Sequence, residues 1–442
     1  MDTPVCDFVA AYEKSGVARL HMPGHKGKGP LGCEGRDITE IPGADSLYEA
    51  SGVIAQSERS AAALFGAKAT FYSAGGSSQC IKAMLCLALQ KSKSRVVLAA
   101  RNVHKSFVHA AALLDADVRW LWPEEDYQLL ACPVRPEQLE KALAAVPETP
   151  AAVYLTSPDY LGNVQPVEQL ARVCHAHGVP LLVDNAHGAY LHFLPEPAHP
   201  LDEGADLCCD SAHKTLPVLT GGAYLHLGHG LLEAEEGEVR AALSLFGSTS
   251  PSYLILQSLD ACNRYLADEA RSRLAHCAKA VAALKADLAA QGWAVAEGEA
   301  LKVTLRASAR GWRGDALADF LRRKGVECEY ADPDHLVLMV TPQNAPEDLE
   351  KVRAALAAAG QGSEAAQTPP QMARPRQVVS LRAALLAPGE EVPVEAAVGR
   401  VCAAPTVACP PAVPVAVSGE EIGPDAAAVF RYYGIETVRV LR

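Results

Sequence analysis

The chain has 442 residues, of which 49% are hydrophobic and 21% charged, and its formal net charge is −12. This length exceeds one ordinary hydrophobic core, so the composition predicts a globular protein of two or three domains. The acidic balance argues against a nucleic-acid partner or an anionic membrane surface, since both select proteins with a basic face.

The sequence also predicts a cytoplasmic protein. The N-terminus MDTPVCDFVAAYEKSG lacks the basic and apolar regions of a secretory signal. No run approaches the roughly 18 consecutive apolar residues of a membrane span. The 13 cysteines are scattered without paired zinc-type spacing, which is typical of reduced, buried thiols.

The first 50 residues, with the segment HMPGHKGKG, are rich in glycine, proline and histidine and predict an irregular arm. SERSAAALFGA then predicts a helix that ends at a glycine, and SAGGSS leads into the helical QCIKAMLCLALQK. Apolar runs now alternate with helical segments: SRVVLAA, VRWLW, PAAVYLT, VPLLVD and ADLCCD. Continuous apolar runs are typical of strands covered on both faces, so they predict a mostly parallel sheet with helical crossovers.

A long helical stretch beginning at LILQSLD leads into further strand and helix patterns, including ALKVTLRAS and HLVLMVT. These patterns predict a smaller α+β domain. The polar segment GQGSEAAQTPPQMARPRQ predicts a linker, and VVSLRAALLA opens a last compact unit. The predicted organisation is an arm (1–50), a large α/β domain (51–255), a small α+β domain (256–360), a linker (361–375) and a C-terminal domain (376–442).

Three stretches deliver unusual side chains to predicted strand ends, where open parallel sheets bind ligands. SAGGSS precedes a helix and could cradle a phosphate, although a Gly-Ser helix start is also ordinary. Asp184 ends the apolar strand of LLVDNAHG, three residues before His187, and alone each residue fits a capping or core role. Lys214 follows the next strand, in DSAHKTLPVLTGG, where a solvated turn lysine is the common alternative.

Together the three stretches supply what pyridoxal phosphate requires. Its phosphate needs an anchor, its pyridinium nitrogen needs a carboxylate, and its aldehyde needs an amine. Ser211 and His213, just before the lysine, add possible phosphate donors. The combination predicts that Lys214 is a Schiff-base nucleophile.

The same segments resemble one known family. HMPGHKGKG, DITEIPGADSL, RNVHKS, VDNAHGAY, SAHKTLPVLTGGAYLH and STSPSYLILQSLD are similar, in order, to segments of the prokaryotic-type ornithine/lysine/arginine decarboxylases. CPPAVPVAVSGEEI resembles the C-terminal domain of that family. The resemblance implies a fold type I, aspartate-aminotransferase-like large domain with a seven-stranded sheet, plus the small and C-terminal α+β domains.

The resemblance also implies roles for individual residues. Lys214 would form the internal aldimine, Asp184 the pyridinium salt bridge, and His104 would stack on the ring. His187 would lie near the substrate, and the arm from His21 to Lys26 would line the entrance. The implied cofactor ligands are Gly76, Ser77, Ser78, His104, Asp184, His187, Ser211, His213, Lys214 and, reaching the phosphate of a neighbouring subunit, Thr249 and Ser250.

The implied reaction is decarboxylation of a basic L-amino acid to its amine, through the Lys214 aldimine and a quinonoid. Arginine is favoured because short-form members are often arginine decarboxylases, and lysine and ornithine follow. The expected assembly is a homodimer with the active site at its interface, possibly a higher oligomer. A lysine and an aspartate would also suit an aminotransferase or another lyase of this fold. A catalytically inactive binding homologue is the alternative of another class, and the intact Lys214, Asp184, His104 and His187 argue against it.

Some positions depart from the family pattern or stay open. The phosphate turn is SAGGS, Asn185 stands where an acidic residue is usual, and Tyr190 stands where a histidine is usual. Glu420 or Glu421 of SGEEI could bind a substrate cation, but two exposed loop glutamates are more often solvated.

Two further patterns have ordinary explanations. Arg306 or Arg310 could bind a substrate carboxylate in an aminotransferase, but arginines at strand and helix edges are common. CHAHG (Cys174, His175, His177) lacks a fourth zinc ligand at a suitable spacing, so helix-end histidines explain it better. The sequence therefore predicts no metal site.

Overall fold

The computed structural model describes residues 1–123, 131–363, 369–408 and 413–442. Five residues of the predicted linker (364–368) and the first four of CPPAVPVAVSGEEI (409–412) lie outside the described residues. The described chain forms two compact units. One comprises residues 1–98, 136–157 and 166–272, and the other comprises 99–135, 158–165 and 273–442.

The helices and strands alternate through the first half of the chain, as the apolar pattern predicts. In chain order they are α1 (Pro4–Lys14), α2 (Val53–Phe65), β1 (Ala69–Ser73), α3 (Gly76–Lys91), β2 (Val96–Ala100), α4 (Lys105–Leu114), β3 (Asp117–Leu121), α5 (Pro136–Ala145), β4 (Ala152–Thr156), α6 (Val167–Ala176), β5 (Leu181–Asp184), β6 (Leu207–Asp210), α7 (Ala212–Thr215), β7 (Ala223–Leu227), α8 (Glu236–Ser244), α9 (Tyr253–Tyr265) and α10 (Arg271–Ala290).

The remaining elements belong to the second unit. They are β8 (Lys302–Arg306), α11 (Gly314–Arg323), β9 (Tyr330–Ala331), β10 (His335–Met339), α12 (Pro346–Ala359), α13 (Leu381–Leu386), β11 (Gly389–Pro393), α14 (Val394–Ala397), β12 (Thr406–Ala408), β13 (Pro414–Val417), α15 (Pro424–Tyr432) and β14 (Thr437–Leu441).

Seven strands form one sheet in the order β1-β7-β6-β5-β4-β2-β3. β4, β5 and β6 run parallel, whereas β7 is antiparallel to both of its neighbours. Every residue of β5, β6 and β7 is buried, which explains their largely apolar sequences. The predicted α/β architecture with a mostly parallel seven-stranded sheet is confirmed.

The second unit contains three small antiparallel sheets. β8, β10 and β9 form one, in that order, and β11 pairs with β14 and β12 with β13. The boundaries of the two compact units do not test the boundaries predicted for the arm, the linker and the three domains. Those five predicted segments therefore stay a prediction. No helix among the described residues combines the length and hydropathy of a transmembrane segment.

Candidate active site

The ends of two neighbouring strands carry the predicted carboxylate and the predicted nucleophile. Asp184 is the last residue of β5 and is 2% exposed. β6 pairs with β5 in parallel, with Cys209 opposite Asp184. The helix α7 follows β6 directly and carries Lys214. Both functional groups are therefore delivered by the carboxyl edge of the same sheet.

Lys214 contacts another predicted catalytic residue. Its Nζ atom lies 3.0 Å from His187 Nε2, and His187 is buried in the turn after β5. An amine and an imidazole at this distance share a hydrogen bond, so a proton can pass directly between them. The pair can therefore give or accept a proton at the sheet edge.

The Asp184 carboxylate is held by donors from its own unit. The Tyr154 hydroxyl donates to Oδ2 at 3.2 Å, and the Ala186 backbone N–H donates to Oδ1 at 3.2 Å. Burial, with the nearby Asp184 charge, raises the pKa of Tyr154 well above its ordinary value, so the phenol keeps its proton. The carboxylate is thus oriented by two donors.

The predicted phosphate turn lies at the start of α3. Gly76 opens this helix with a φ angle of +70°, and its N–H donates to Gly221 O at 2.8 Å. Ser77 and Ser78 follow in the first helical turn, and Ser211 Oγ donates to Ser77 Oγ at 2.7 Å. The first N–H groups of a helix lack intrahelical partners and attract anions. The turn combines such groups with serine hydroxyls from two segments.

The other predicted phosphate ligands differ in their surroundings. His213 is half-buried, and its Nδ1 donates to Gly222 O at 3.0 Å, so its Nε2 could donate to an anion only when both ring nitrogens carry protons. Thr249 and Ser250 are exposed after α8, and the Ser250 N–H donates to a neighbouring serine. The contact of Thr249 and Ser250 with a partner's phosphate stays a prediction.

Two further predicted contributors stay predictions as well. His104 lies in the second unit, where it is exposed and its Nδ1 accepts a hydrogen bond from the Ser106 N–H at the start of α4. In the arm, His21 Nε2 lies 2.6 Å from the Tyr12 hydroxyl, and Lys26 Nζ donates to His21 O at 2.5 Å. Neither set of contacts tests the predicted role at the cofactor or at the entrance.

The glutamates of SGEEI differ from the expectation of two solvated loop residues. Glu420 is 1% exposed, and each of its oxygens lies 2.7 Å from a guanidinium nitrogen of Arg101. Glu421 pairs instead with Arg376 at the surface. Since Arg101 already neutralises Glu420 and Val417 N–H also donates to it, Glu420 does not suit a substrate cation.

The arginines considered for an aminotransferase are placed differently from each other. Arg310 Nε donates to Gly360 O at 2.9 Å, and its Cζ lies 4.7 Å from the centre of the Trp293 indole. Arg306 is the exposed last residue of β8. Arg310 is thus committed to contacts inside the second unit.

The CHAHG histidines have carboxylate partners. His175 Nε2 lies 2.9 Å from Asp206 and His177 Nε2 lies 2.9 Å from Glu140. Separate carboxylate contacts explain the placement of both histidines without a shared metal. Across the described residues, two other groups bring ligand-type atoms within 4.8 Å of one another: His199, Cys208 and Asp210, and Asp332, Asp334 and His335.

The donor set at the sheet edge fits pyridoxal phosphate. A helix start with two serines suits the phosphate dianion, a buried and oriented carboxylate suits the ring nitrogen, and the Lys214 amine suits the aldehyde. All three groups belong to one unit. Tyr154 belongs to the same site and was missed from the sequence, where the only signal is a tyrosine within the apolar run PAAVYLT.

Known proteins resemble the chain over nearly its whole length. A family model described as Orn/Lys/Arg decarboxylase, major domain, matches residues 3–307, and one described as Orn/Lys/Arg decarboxylase, C-terminal domain, matches residues 362–437. The chain is 30% identical over 456 residues to the uncharacterized protein YaaO of Bacillus subtilis, covering 96% of this chain and 92% of that one.

Two further matches carry an activity in their names. The arginine decarboxylase of Halalkalibacterium halodurans is 28% identical over 451 residues, covering 95% of this chain and 91% of that one. The structure of the Escherichia coli constitutive lysine decarboxylase superposes with a TM-score of 0.81 at 19% identity, over 100% of this chain and 82% of that one. At that identity the structural match shows the fold.

Proposed function

Because the chain belongs to the ornithine/lysine/arginine decarboxylase family, a family of pyridoxal-phosphate-dependent enzymes, we propose that this amino-acid decarboxylase acts on L-arginine. The observation that carries the choice of arginine is the similarity along 95% of the chain to a protein named arginine decarboxylase. The product would be the amine left after loss of the α-carboxylate as carbon dioxide.

The cofactor would be held by residues of one unit. Lys214 would bind its aldehyde carbon, Asp184 its ring nitrogen, and the turn at Gly76 and Ser77, with Ser211, its phosphate. When bound, pyridoxal phosphate supplies an electron sink for the pair of electrons left by carbon dioxide.

Lys214 and His187 would handle the protons of the reaction. Their nitrogen atoms lie 3.0 Å apart. After either group gives up a proton, it can therefore receive another proton from its neighbour. Decarboxylation replaces a carboxylate on the α-carbon by a proton, and we assign its delivery to Lys214 Nζ or His187 Nε2.

Asp184 and the helix start would fix the orientation of the bound molecule. The Tyr154 and Ala186 donors keep the Asp184 oxygens directed, so this carboxylate holds its negative charge at a constant position. The anion turn at α3 anchors the opposite end. With the ring held at both ends, the groups that bind the substrate would decide which of its bonds breaks, and that choice would select decarboxylation over transamination.

The proposed assembly is a homodimer in the cytoplasm, with Thr249 and Ser250 reaching the partner's phosphate. These two side chains are exposed in the single chain, as a contribution to a neighbouring subunit requires. The amine product would supply polyamine biosynthesis.

The test is product analysis with the purified full-length enzyme and pyridoxal phosphate. Arginine, lysine and ornithine are supplied separately, and carbon dioxide, amine and keto acid are measured. The proposal expects carbon dioxide and amine in equal amounts, with arginine giving the highest kcat/KM. Preference for lysine or ornithine would overturn the substrate choice, and a keto acid as the main product would indicate an aminotransferase.

A further inference from the structure

A second buried carboxylate lies beside the candidate site and has no part in the functions assigned above. Asp210 is the last residue of β6, is 0% exposed and directly precedes Ser211. Asn185 Nδ2 donates to Asp210 Oδ1 at 2.6 Å. His199 Nε2 and His226 Nε2 lie 3.0 Å and 3.2 Å from Oδ2. One carboxylate thus joins three buried polar side chains.

The histidines act as donors to Asp210. Leu201 N–H donates to His199 Nδ1 at 3.3 Å, so Nε2 is the protonated nitrogen of that ring. Burial lowers the pKa of His226, and its Nδ1 lies 2.8 Å from Thr70 Oγ1, a hydroxyl that can donate to it. With amide and imidazole N–H groups as its partners, Asp210 keeps a negative charge in the interior.

Asn185 connects this carboxylate to the turn that carries His187. Its N–H donates to Cys209 O at 3.0 Å, and its carbonyl accepts from Gly188 N–H at 2.8 Å. Gly188 lies against the Asn185 side chain so closely that an added Cβ atom would be 2.0 Å from Oδ1. The turn from 185 to 188 is therefore held to the end of β6 by the Asn185 side chain as well as by the Asn185 backbone.

We propose that Asp210 is a positioning residue for cofactor binding. By holding Asn185, Asp210 fixes the positions of His187 and Lys214 relative to each other. It acts on one side through Asn185 and the His187 turn, and on the other through Ser211 and α7. The proposal rests on the proposed function, because the relative position of His187 and Lys214 affects binding only if Lys214 binds the cofactor.

Hydrogen bonding accounts for the cluster better than a metal ion does. Asp210, His199 and Cys208 bring ligand-type atoms close together, but Asn185 directs an N–H group at the same carboxylate from 2.6 Å. The His199 nitrogen that faces the carboxylate also carries a proton, and a protonated ring nitrogen has no lone pair for a cation.

The location of the charge explains the unusual residue at position 185. An acidic side chain there would face Asp210 across a hydrogen-bond distance, and two carboxylates in the interior repel strongly. Among the described residues, Asn185 Oδ1 has no hydrogen-bond partner, so a charge on it would be unsatisfied. In this buried pair, Asp210 carries the negative charge and Asn185 donates the hydrogen bond to it.

The test is an isosteric exchange: Asn185→Asp, Asp210→Asn, and the double variant that carries both. Each full-length protein is titrated with pyridoxal phosphate, and the dissociation constant and the visible circular dichroism of the bound cofactor are measured. We expect Asn185→Asp to weaken binding about tenfold, which corresponds to about 1.4 kcal/mol, because two carboxylates would then face each other in the interior. The double variant should recover most of that loss, because amide and carboxylate face each other again.

The matched control is Asp206→Asn. Asp206 is another buried aspartate, but it stands just before the start of β6, where it accepts from the Leu181 and Leu232 N–H groups and pairs with His175. It should lower the unfolding temperature and leave cofactor affinity unchanged. If Asn185→Asp does not fold, the comparison of Asp210→Asn with Asp206→Asn decides alone, with weaker binding expected only in Asp210→Asn.

Two outcomes would overturn the inference, and they differ from a failure of the proposed function. Unchanged cofactor affinity in Asn185→Asp and Asp210→Asn would show a purely structural cluster, as would a double variant no better than Asn185→Asp. Absence of pyridoxal-phosphate binding in the unmodified enzyme would instead contradict the proposed function itself.

Discussion

At the scale of single residues, the buried carboxylates Asp184 and Glu420 have specific partners. Asp184 accepts from Tyr154, and Glu420 forms a two-point ion pair with Arg101. The Arg101 Cζ atom also lies 4.9 Å and 4.5 Å from the ring centres of Trp120 and Trp122. Such an arginine is held by charge and by aromatic faces together. The pair connects the end of β2 with the C-terminal segment inside the second unit.

Breaking this pair should destabilise the second unit strongly. Glu420→Gln leaves the Arg101 charge buried without a counter-charge, which costs about 3–5 kcal/mol. The adjacent Glu421→Gln removes a surface pair with an exposed Arg376 and should change stability by less than about 1 kcal/mol. Urea unfolding followed by circular dichroism measures both variants. Equal effects of the two substitutions would contradict the buried pair.

Asp210 predicts how stability depends on acid. Burial acts to raise the pKa of Asp210, but His199 and His226 outweigh it and hold the value well below the usual range. A lowered carboxyl pKa contributes stability that is complete above the unfolded value, near pH 4, and is lost as the pH falls further. Asp210→Asn should therefore flatten the fall of the unfolding temperature below about pH 4. An unchanged acid profile would contradict the donors assigned to Asp210.

The sequence predicts site residues where they stand next to a recognisable strand or helix start. Asp184, Lys214 and the glycine-serine turn each follow an apolar strand, so their meeting at one edge follows from parallel topology. Arg101 and Glu420 lie 319 residues apart, and no local pattern relates them. The same holds for Asn185 and Asp210, whose contact depends on which side chains of two strand ends face each other.

At the scale of elements, the backbone at the start of α3 is the part of the predicted phosphate turn that a substitution can test. Gly76 has a φ angle of +70°, and an added Cβ would meet its nearest atom, Gly221 O, at 4.0 Å. Substitution is therefore limited by backbone strain rather than by space. The turn that begins α3 depends on this left-handed residue.

Gly76→Ala should weaken cofactor binding. Gly66, at the end of α2, offers a matched control because it has a φ angle of +62° and no atom within 4 Å of an added Cβ. Either alanine should destabilise by about 1–2 kcal/mol through the left-handed backbone. Only Gly76→Ala should raise the dissociation constant for pyridoxal phosphate. A similar loss of pyridoxal-phosphate affinity in Gly66→Ala would show that the effect of Gly76→Ala comes from lowered stability of the whole protein.

Some elements were not predictable from the apolar pattern. β1 and β7 are five-residue strands, and the pattern alone did not separate them from the neighbouring turns. β7 also runs antiparallel between β1 and β6, a choice made by tertiary packing. The long helix predicted from LILQSLD is interrupted by a π-helical turn at Leu266–Ala270 between α9 and α10, which helical periodicity does not reveal.

At the scale of the whole molecule, the proposed homodimer shares each active site between two chains. If Thr249 and Ser250 serve the partner's phosphate, Lys214→Ala and a Thr249→Ala/Ser250→Ala variant carry their defects on opposite sides of the interface. Mixing and reassociating the two should restore part of the activity, since one site of each mixed dimer keeps both wild-type contributions. No recovery in dimers shown to be mixed would place these residues within their own subunit's site, or outside it.

The central claim is that Lys214 binds pyridoxal phosphate and carries the reaction. The most direct measurement is the visible absorbance spectrum of the purified enzyme with pyridoxal phosphate, compared with that of Lys214→Ala, before and after borohydride reduction and mass analysis. The account predicts an absorbance band and a reduced cofactor attached at Lys214, both absent from the variant. A band of equal strength in Lys214→Ala, or attachment at another lysine, would contradict it.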